Sequence, residues 1–440
     1  MAGTVEMKSG RRWQNWGRSE QATPQFVARP STVDEVIEVV RFARDRGLTI
    51  RPVGAGHSFT GIAATTGIQL DLSALDGLYR VGGNRATLGA GTNLFQLPAL
   101  LDPHGLALTN MGDIDRQTIA GATSTGTHGT GARFGGISTQ IVAATLVTAN
   151  GELLRVSETE NAELLPAVAI GLGALGILVE VTIECVPSFR LHAVEQPEPL
   201  ERVLDDFDSR STSADHFEFY WFPHTDTALT KTNTRVAADA PRRVQAPLAA
   251  WVDDELLANG VYRATCALGL IAPGVIPPVN RLAERLVAQR DVTDASYRIF
   301  ISNRAVRFRE MEYAIPRHHV PAAVRAVRDL IQTKGWRISF PIEVRVAASD
   351  GLWLSTASER DSGYIAVHRY FREDPTEYFE AVEQIMVGFD GRPHWGKMHF
   401  RDAASLAPAY PHFAEFTALR DRLDPERLFG NPYLERVLGQ

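Results

Sequence analysis

The stretch Arg51-Pro-Val-Gly-Ala-Gly-His-Ser-Phe-Thr60 decides the fold of this 440-residue chain. It completes a predicted strand, residues 48–53, and opens onto two glycines and a histidine. Because glycine has no Cβ atom, the backbone N–H groups of such a loop can approach an anionic group closely. A second glycine-rich stretch, residues 119–131, reads Ile-Ala-Gly-Ala-Thr-Ser-Thr-Gly-Thr-His-Gly-Thr-Gly. Two such loops can hold a diphosphate from two sides, which predicts a dinucleotide site.

The elements around the first loop exclude a fold of the Rossmann type. Residues 31–47 predict a helix, with Thr32 as its cap, Glu35 at the capping-box position and Gly47 at its end. The chain then runs helix, strand, glycine loop, whereas a Rossmann fold needs strand, glycine loop, helix. Residues 58–67 carry no helical pattern. We therefore expect the two glycine stretches to hold a dinucleotide in another fold, and our hypothesis is that this dinucleotide is FAD.

The composition is that of a globular protein with more than one core. Hydrophobic residues make up 44% and charged residues 22%, and the length of 440 residues favours two domains. The formal net charge of −7 argues against nucleic acid as the main partner. Only two cysteines, no apolar leader and no long apolar run predict a cytoplasmic protein without disulfides or a transmembrane segment. Peripheral contact with a membrane stays open.

The remaining pattern predicts an α+β fold in consecutive segments. Residues 1–187 form a first domain, with strands at 68–72 and 85–89, a helix from Thr92 through Leu101, and a hairpin around Asn150-Gly151. Residues from 188 onwards carry most of the aromatic side chains and predict a second domain that covers the first. We expect a strand at 297–304, helices at 320–331 and 376–387, and loops at 236–243 and 272–278. The tail, from residue 394, predicts a short return that docks on a domain.

A carboxylate and a guanidinium share one face of the predicted strand at residues 338–346. Side chains at alternate positions of a strand point the same way, so Glu343 and Arg345 lie together, roughly 7 Å apart at their Cα atoms. Such a pair suits a polyhydroxyl ligand, because the carboxylate accepts hydroxyl protons and the guanidinium donates to oxygen. The alternative is a structural ion pair on a solvated sheet face.

Two further segments carry groups suited to proton transfer or charge balance. On the predicted strand 363–371, His368 shares a face with Tyr364 and Tyr370, and is either functional or a hydrogen-bonded structural residue. In residues 393–399, Pro-His-Trp-Gly-Lys-Met-His, Lys397 either balances an anionic reduced cofactor or is exposed. This segment has no cysteine or carboxylate at metal-ligand spacing, so the sequence predicts no metal site.

Seven short motifs in order resemble one known family. The sequence is similar to the FAD-linked aldonolactone oxidoreductases of the vanillyl-alcohol-oxidase superfamily, which include L-gulono-1,4-lactone and D-arabinono-1,4-lactone oxidases and dehydrogenases, and it is also similar to alditol oxidases. The matching segments span nearly the whole chain: Val53-Gly-Ala-Gly-His-Ser-Phe59, Gly126-Thr-His-Gly-Thr-Gly131, Leu175-Gly-Ile177, Met311-Glu-Tyr-Ala-Ile-Pro316, Pro341-Ile-Glu-Val-Arg345, His394-Trp-Gly-Lys397 and Asn431-Pro-Tyr-Leu434.

The resemblance implies an α+β, two-domain FAD-binding fold of the vanillyl-alcohol-oxidase type with a substrate cap domain. The FAD-binding domain would cover residues 1–187, the cap 188–393, and a C-terminal return to the FAD domain 394–440. The histidine of the Gly-x-Gly-His-Ser motif, here His57, would bond covalently to FAD. Some plant relatives have leucine at this position and bind FAD without the covalent bond.

The resemblance also assigns residues to the cofactor and to catalysis. Asp113 and Thr118 fall where alditol oxidases place serines near the flavin, and the aspartate is a departure from that pattern. Gly176, Ile177 and Val179 would lie by the adenine. The pyrophosphate and the ribityl chain would be held by Val53, Gly54, Ala55, Gly56, His57, Ser58, Gly121, Ser124, Thr125, Gly126, Thr127, His128 and Gly129. The catalytic group would be Glu343, Arg345 and Lys397, with His368 as a looser match.

The implied reaction is hydride transfer from a hydroxyl-bearing carbon of a sugar lactone to flavin N5. The base is either Lys397 or His368, and the electrons pass to oxygen or to an acceptor such as cytochrome c. Relatives with glycine at the position of Gly112 tend to admit oxygen, whereas relatives with alanine there tend to exclude it. The alternatives are an alditol oxidase that acts on xylitol or sorbitol, and a noncatalytic sugar-binding protein on the same fold.

Overall fold

Short strands dominate the first part of the fold in the computed structural model, which describes residues 5–244, 262–286, 289–302 and 306–440. A four-stranded sheet has the order β1-β4-β6-β5, and a five-stranded sheet has the order β11-β10-β12-β8-β7. The strands of this part are β1 (Met7–Ser9), β2 (Trp13–Gln14), β3 (Gln21–Ala22), β4 (Phe26–Ala28), β5 (Ile50–Val53), β6 (Ile68–Asp71), β7 (Leu78–Gly82), β8 (Arg85–Gly89), β9 (Leu106–Ala107), β10 (Ile141–Val147), β11 (Leu153–Ser157), β12 (Ile177–Glu184) and β13 (Val186–Pro187).

The first helix begins as its sequence predicts. Helix α1 (Val33–Asp45) is capped by Thr32, whose hydroxyl accepts the Glu35 N–H at 3.2 Å, while the Glu35 carboxylate accepts from Ser31. The Thr32 hydroxyl satisfies an N–H group that a helix start leaves without a partner. The Glu35 carboxylate bonds to Ser31, one residue before the cap, and not to the Thr32 N–H of a capping box. The shorter helices of this part are α2 (Leu97–Leu101), α3 (Ile119–Ser124) and α4 (Leu165–Val168).

A single sheet of eight antiparallel strands forms the second part. Its order is β17-β14-β16-β15-β19-β20-β18-β21. Its strands are β14 (Arg190–Pro199), β15 (His216–Trp221), β16 (Thr227–Val236), β17 (Arg290–Ala295), β18 (Phe308–Pro316), β19 (Ile342–Ala347), β20 (Ser362–Tyr370) and β21 (Arg392–Pro393). Its helices are α5 (Leu200–Asp205), α6 (Phe207–Ser213), α7 (Tyr262–Ile271), α8 (Ile276–Leu286), α9 (Ser296–Phe300), α10 (Val320–Lys334) and α11 (Thr376–Gly388).

The two faces of this sheet differ because strand side chains alternate. One face is apolar: Phe217 and Phe219 of β15 and Val344 of β19 join one buried core with residues of α5, α10 and α11. The opposite face carries charged side chains that are also buried, among them Glu218 and Arg345. A sheet face that is charged and still buried must lie against another part of the protein, and here it faces the first part.

The C-terminal segment packs on the first part rather than on the sheet. Trp395 and side chains of α12 (Ala403–Leu406), α13 (Phe413–Leu423) and α14 (Pro432–Leu438) belong to the core that the first part forms. Buried Arg51, in the strand before the first glycine loop, donates to the carbonyl oxygens of Ile62, Leu172, Gly173 and Phe429. This placement supports the division at residues 187 and 393, which stays our proposal.

Most predicted elements are confirmed, with three exceptions. The strand predicted at 297–304 is wrong, because Ser296–Phe300 is a helix; residues 303–305 lie outside the described residues. The loop predicted at 272–278 is wrong from Ile276 onwards, because prolines in the first turn of a helix lose no hydrogen bond. Thr92 is not the cap predicted for residues up to Leu101. Asn93 takes that place in a capping box with Gln96.

Candidate functional site

A cavity that is partly open to solvent lies between the two glycine stretches. Eleven of the residues predicted to hold the cofactor line it: Val53, Gly54, Ala55, Gly56, His57, Ser58, Thr118, Gly121, Ser124, Thr125 and Gly176. The loop that follows β5 and the short helix α3 therefore do face one another across a common space. Gly173, Leu146 and Leu178 extend the lining and were not in the predicted set.

The two glycine stretches touch at Gly54. A Cβ atom added to Gly54 would lie 2.5 Å from Thr118 Oγ1, so only glycine allows this approach. Thr118 caps α3 and accepts the Gly121 N–H at 3.2 Å. The cavity is thus lined by loop backbone and small side chains at one side and by aliphatic side chains such as Leu146 at another. This lining fits FAD, whose diphosphate needs close backbone N–H groups and whose rings need apolar walls.

His57 closes the first loop beside an aromatic ring. Its imidazole stacks on Trp16 with ring centroids 5.5 Å apart and planes at 23°. Burial, followed by the charges of Lys397 and Arg116, lowers the pKa of His57 to about 4. The imidazole is therefore neutral near pH 7, and one ring nitrogen keeps a lone pair.

The other residues predicted for the cofactor do not line this cavity. Ile177 and Val179 are buried in the core, while Leu178 between them faces the cavity, because alternate residues of β12 point to opposite sides. Asp113 and His128 contact the eight-stranded sheet, at Arg345 and Glu312 respectively. A Cβ on Gly129 would lie 2.1 Å from the Met111 carbonyl oxygen, so packing alone requires glycine there. Their roles at the cofactor stay predictions.

The second glycine stretch leads directly to the charged face of the sheet. The Gly131 N–H donates to the Val346 carbonyl oxygen at 2.8 Å, and the Val346 N–H donates to Thr130 Oγ1 at 3.2 Å. These bonds hold β19, which carries Glu343 and Arg345, against the loop that leaves the cavity. The predicted cofactor residues and the predicted catalytic residues are therefore joined by backbone contacts.

Three carboxylates surround the guanidinium of Arg345. It pairs with Glu343, its Nε donates to Glu218 at 2.9 Å, and its Nη2 lies 3.3 Å from Asp113. Lys231 lies 3.3 Å from the far oxygen of Glu218. Burial opposes the charge of Arg345, but the three carboxylates outweigh it and raise its pKa well above the ordinary value. The solvated ion pair that was the alternative interpretation is wrong, because Glu343 and Arg345 are 4% and 8% exposed.

Lys397 and His368 meet at one carboxylate on β18. Lys397 Nζ pairs with Glu310, and His368 Nε2 lies 3.6 Å from the other oxygen of Glu310. Burial lowers the pKa of Lys397, but the charges of Glu310 and Glu312 outweigh it and raise the pKa above its ordinary value. His368 Nδ1 lies 3.0 Å from the Pro341 carbonyl oxygen, which can only accept, so Nδ1 carries the proton. His368 Nε2 has no hydrogen-bond partner among the described residues, because the Glu310 oxygen at 3.6 Å lies beyond hydrogen-bond distance.

A second histidine group lies next to Glu312. The ligand-type atoms of His128, Glu312 and His394 lie within 4.8 Å of one another, and by residue type the group could hold a metal ion. Hydrogen bonds also account for this closeness. His128 Nε2 lies 3.2 Å from Glu312, and His394 Nδ1 accepts the Gly396 N–H at 3.0 Å. The absence of a metal stays a prediction, since residue spacing within 393–399 could not show partners from distant segments.

Four charged residues of the site were not predicted. Glu218, Lys231, Glu310 and Glu312 all face the buried polar side of the sheet. A signal was present in β15, where Glu218 is the one charge within Phe-Glu-Phe-Tyr-Trp-Phe. Because strand side chains alternate, such a charge is expected on the face opposite the apolar one. Alternation does not show that this charged face is covered by another part of the protein.

Comparison with known proteins agrees with this arrangement. The model of the D-arabinono-1,4-lactone oxidase family matches residues 181–437, and a model described as an FAD binding domain matches residues 24–157. Among curated relatives, an L-gulono-1,4-lactone dehydrogenase of Mycobacterium tuberculosis is 42% identical over 97% of this chain and 99% of its own. An L-gulonolactone oxidase of Bos taurus is 33% identical over 97% of this chain and 98% of its own.

A solved structure shares the fold. The cholesterol oxidase of Brevibacterium sterolicum is 18% identical, with a TM-score of 0.83 over 99% of this chain and 97% of its own. At this identity the likeness shows the fold alone, which is the predicted α+β FAD-binding fold of the vanillyl-alcohol-oxidase type. The family model covers more than half of the chain, and both glycine loops and the charged sheet face lie within the two matched regions. The chain is therefore an FAD-dependent oxidoreductase that belongs to the D-arabinono-1,4-lactone oxidase family.

Proposed function

We propose that this protein oxidises a sugar lactone of the L-gulono-1,4-lactone or D-arabinono-1,4-lactone type at a hydroxyl-bearing carbon. The observation that carries the proposal is the buried Glu343–Arg345 pair, held on a sheet face that leads by backbone bonds to the cofactor loops. A buried carboxylate and guanidinium offer both an acceptor and donors to a ring with several hydroxyls. The names of the curated relatives support the same substrate class.

The residues that line the cavity would hold FAD, which supplies the acceptor for a hydride from the substrate carbon. We infer that His57 is bonded to it covalently. The lowered pKa of His57, about 4, supports this, because a neutral imidazole keeps a nucleophilic nitrogen. Acid precipitation tests the link: yellow colour should stay with the protein pellet, and His57→Ala should release it. Colour released wholly from the unaltered protein would contradict the bond.

We propose that His368 is the base that accepts the proton of the substrate hydroxyl. Lys397 is held as a cation by Glu310, so it stabilises negative charge rather than accepting a proton. Nε2 would take up that proton, because it has no hydrogen-bond partner among the described residues, whereas Nδ1 donates to the Pro341 carbonyl oxygen. Arg345 would then stabilise the developing alkoxide, while Glu343 would accept hydrogen bonds from the other substrate hydroxyls. His368→Gln should slow flavin reduction about 10²–10⁴-fold, and a rate within twofold would contradict this assignment.

We propose that oxygen, or an acceptor such as cytochrome c, reoxidises the protein. Gly112 supports oxygen as the acceptor. A Cβ at this position would lie 3.0 Å from the His128 carbonyl oxygen and would narrow the space between the two residues, through which oxygen would pass. Gly112→Ala should lower the rate of reoxidation by oxygen and leave that by cytochrome c unchanged. Equal rates with oxygen before and after the substitution would contradict oxygen access through this point.

We also place the protein in the cytoplasm, since both cysteines are free and buried. No helix among the described residues is long and apolar enough to cross a membrane. Cell fractionation tests the location.

A substrate panel tests the proposed reaction. The protein is mixed without oxygen with L-gulono-1,4-lactone, D-arabinono-1,4-lactone, xylitol and sorbitol, and the flavin absorbance is followed. Bleaching by a lactone at rates well above those of the polyols supports the proposal. Faster bleaching by xylitol or sorbitol would make the protein an alditol oxidase. No bleaching with any sugar would favour a noncatalytic sugar-binding protein.

A further inference from the structure

Arg345 is held from two different parts of the fold. Glu218 and Glu343 lie on strands of the eight-stranded sheet next to it, whereas Asp113 lies in the segment before α3 of the first part. Asp113 Oδ1 lies 3.3 Å from Arg345 Nη2, and Glu218 lies 2.9 Å from Nε. Carboxylates thus already occupy two of the three guanidinium nitrogens before any ligand enters.

The other cations of the site are paired as well. Lys231 pairs with Glu218, and Lys397 pairs with Glu310. An uncharged ligand still finds acceptors and donors in this group of charges. A ligand that brings its own carboxylate or phosphate has to compete with Asp113, Glu218, Glu310 and Glu343 for these cations, which is costly in a buried setting.

We propose that Asp113 is a specificity-determining residue that keeps anionic sugars out by occupying Arg345. This inference rests on the proposed oxidation of a lactone. It adds that the site discriminates between neutral and anionic sugars. The neutral ring is admitted, while the open-chain aldonate that forms when water opens the lactone is refused, and so are sugar phosphates. A serine, which the resemblance places here in alditol oxidases, could neither pair with Arg345 as an ion nor repel an anion.

The test compares two open-chain competitors that differ at one terminal carbon, which is charged in one of them and neutral in the other. L-gulonate and sorbitol have the same carbon chain and hydroxyl configuration, but L-gulonate has a carboxylate where sorbitol has CH₂OH. Each is added during anaerobic flavin reduction by L-gulono-1,4-lactone, at a sodium chloride concentration that keeps the ionic strength equal. The measured quantity is the ratio of the inhibition constant of L-gulonate to that of sorbitol.

The unaltered protein should bind L-gulonate at least about tenfold more weakly than sorbitol. In Asp113→Asn, which keeps the shape of the side chain and removes its charge, the inhibition constant of L-gulonate should fall at least about tenfold while that of sorbitol changes little. Asp115→Asn is the matched control. Asp115 lies two residues after Asp113 and pairs with its exposed neighbour Arg116, so this variant should leave the ratio unchanged.

Three results would overturn the inference. They are equal inhibition by L-gulonate and sorbitol in the unaltered protein, an unchanged ratio in Asp113→Asn that retains its flavin and its melting temperature, and the same change in Asp115→Asn. If Asp113→Asn does not fold, Asp113→Ser provides the same readout. Failure of the lactone itself to bleach the flavin would instead sink the proposed function, so the two failures are distinguishable.

Discussion

The cofactor half and the substrate half of this site consist of different chemical groups. The cofactor half is made of backbone and glycine, as at Gly54, where a single added carbon would strike Thr118. The substrate half is made of buried charges, as at Arg345 with its three carboxylates. Steric fit therefore decides which substitutions the cofactor half tolerates. Charge balance decides which substitutions the substrate half tolerates. Substitutions that alter shape or charge separately can test this difference.

The largest effect is expected from Arg345→Ala. It leaves Asp113, Glu218 and Glu343 buried without their shared cation, which should lower the free energy of unfolding by about 3–5 kcal/mol. Flavin reduction by a lactone should slow about 10²–10³-fold, because an alkoxide loses its donor. Chemical denaturation and anaerobic rapid mixing measure the two effects. Arg80→Ala, at an exposed position on β7, is the control and should change neither.

Acid should weaken the junction between the halves. His216 lies 2.7 Å from the Thr130 carbonyl oxygen, and burial lowers its pKa from 6.5 to about 4, with Thr130 partly opposing. The unfolded chain therefore binds more protons between these values. The free energy of unfolding should fall by up to about 3 kcal/mol as the pH drops from 6.5 to 4, and this contribution is complete above 6.5.

Denaturation at several pH values measures this slope. His216→Phe, which fits beside Phe134 and Phe300, should make the slope shallower within that window. An unchanged slope would mean that His216 does not couple folding to protonation.

The smallest effect is expected at Gly129 of the second glycine stretch, outside the lining of the cavity. Gly129→Ala places a Cβ 2.1 Å from the Met111 carbonyl oxygen, so backbone must move, at about 1–3 kcal/mol of stability. The purified variant should also carry less flavin per protein. Gly82→Ala is the control, because nothing lies within 4 Å of its added Cβ. Equal flavin content and stability in both variants would contradict a steric role for Gly129.

Features with a local cause could be predicted from the sequence. Thr32 caps its helix by accepting the Glu35 N–H three residues along, and Glu343 and Arg345 share a face because strands alternate. The glycine stretches carry their own signal, since the residue type itself permits close approach.

Features whose cause lies in distant segments could not be predicted in this way. Glu310 belongs to the site because it pairs with Lys397, which is 87 residues away in the chain. Asp113 pairs with Arg345 across the two parts of the fold. The burial of the charged sheet face depends on the first part lying over it, and strand periodicity describes only one sheet. The resemblance to a family supplied Asp113 and Glu343, but not Glu218 and Glu310, the carboxylates that pair with Lys231 and Lys397.

The most direct test of this account is an anaerobic titration of the purified yellow protein with L-gulono-1,4-lactone. We predict that each equivalent of lactone bleaches one equivalent of bound flavin, until the yellow absorbance is gone. Flavin that stays fully yellow in excess lactone, or a protein that takes up no flavin at all, would contradict the claim that the glycine half and the charged half form one oxidising site.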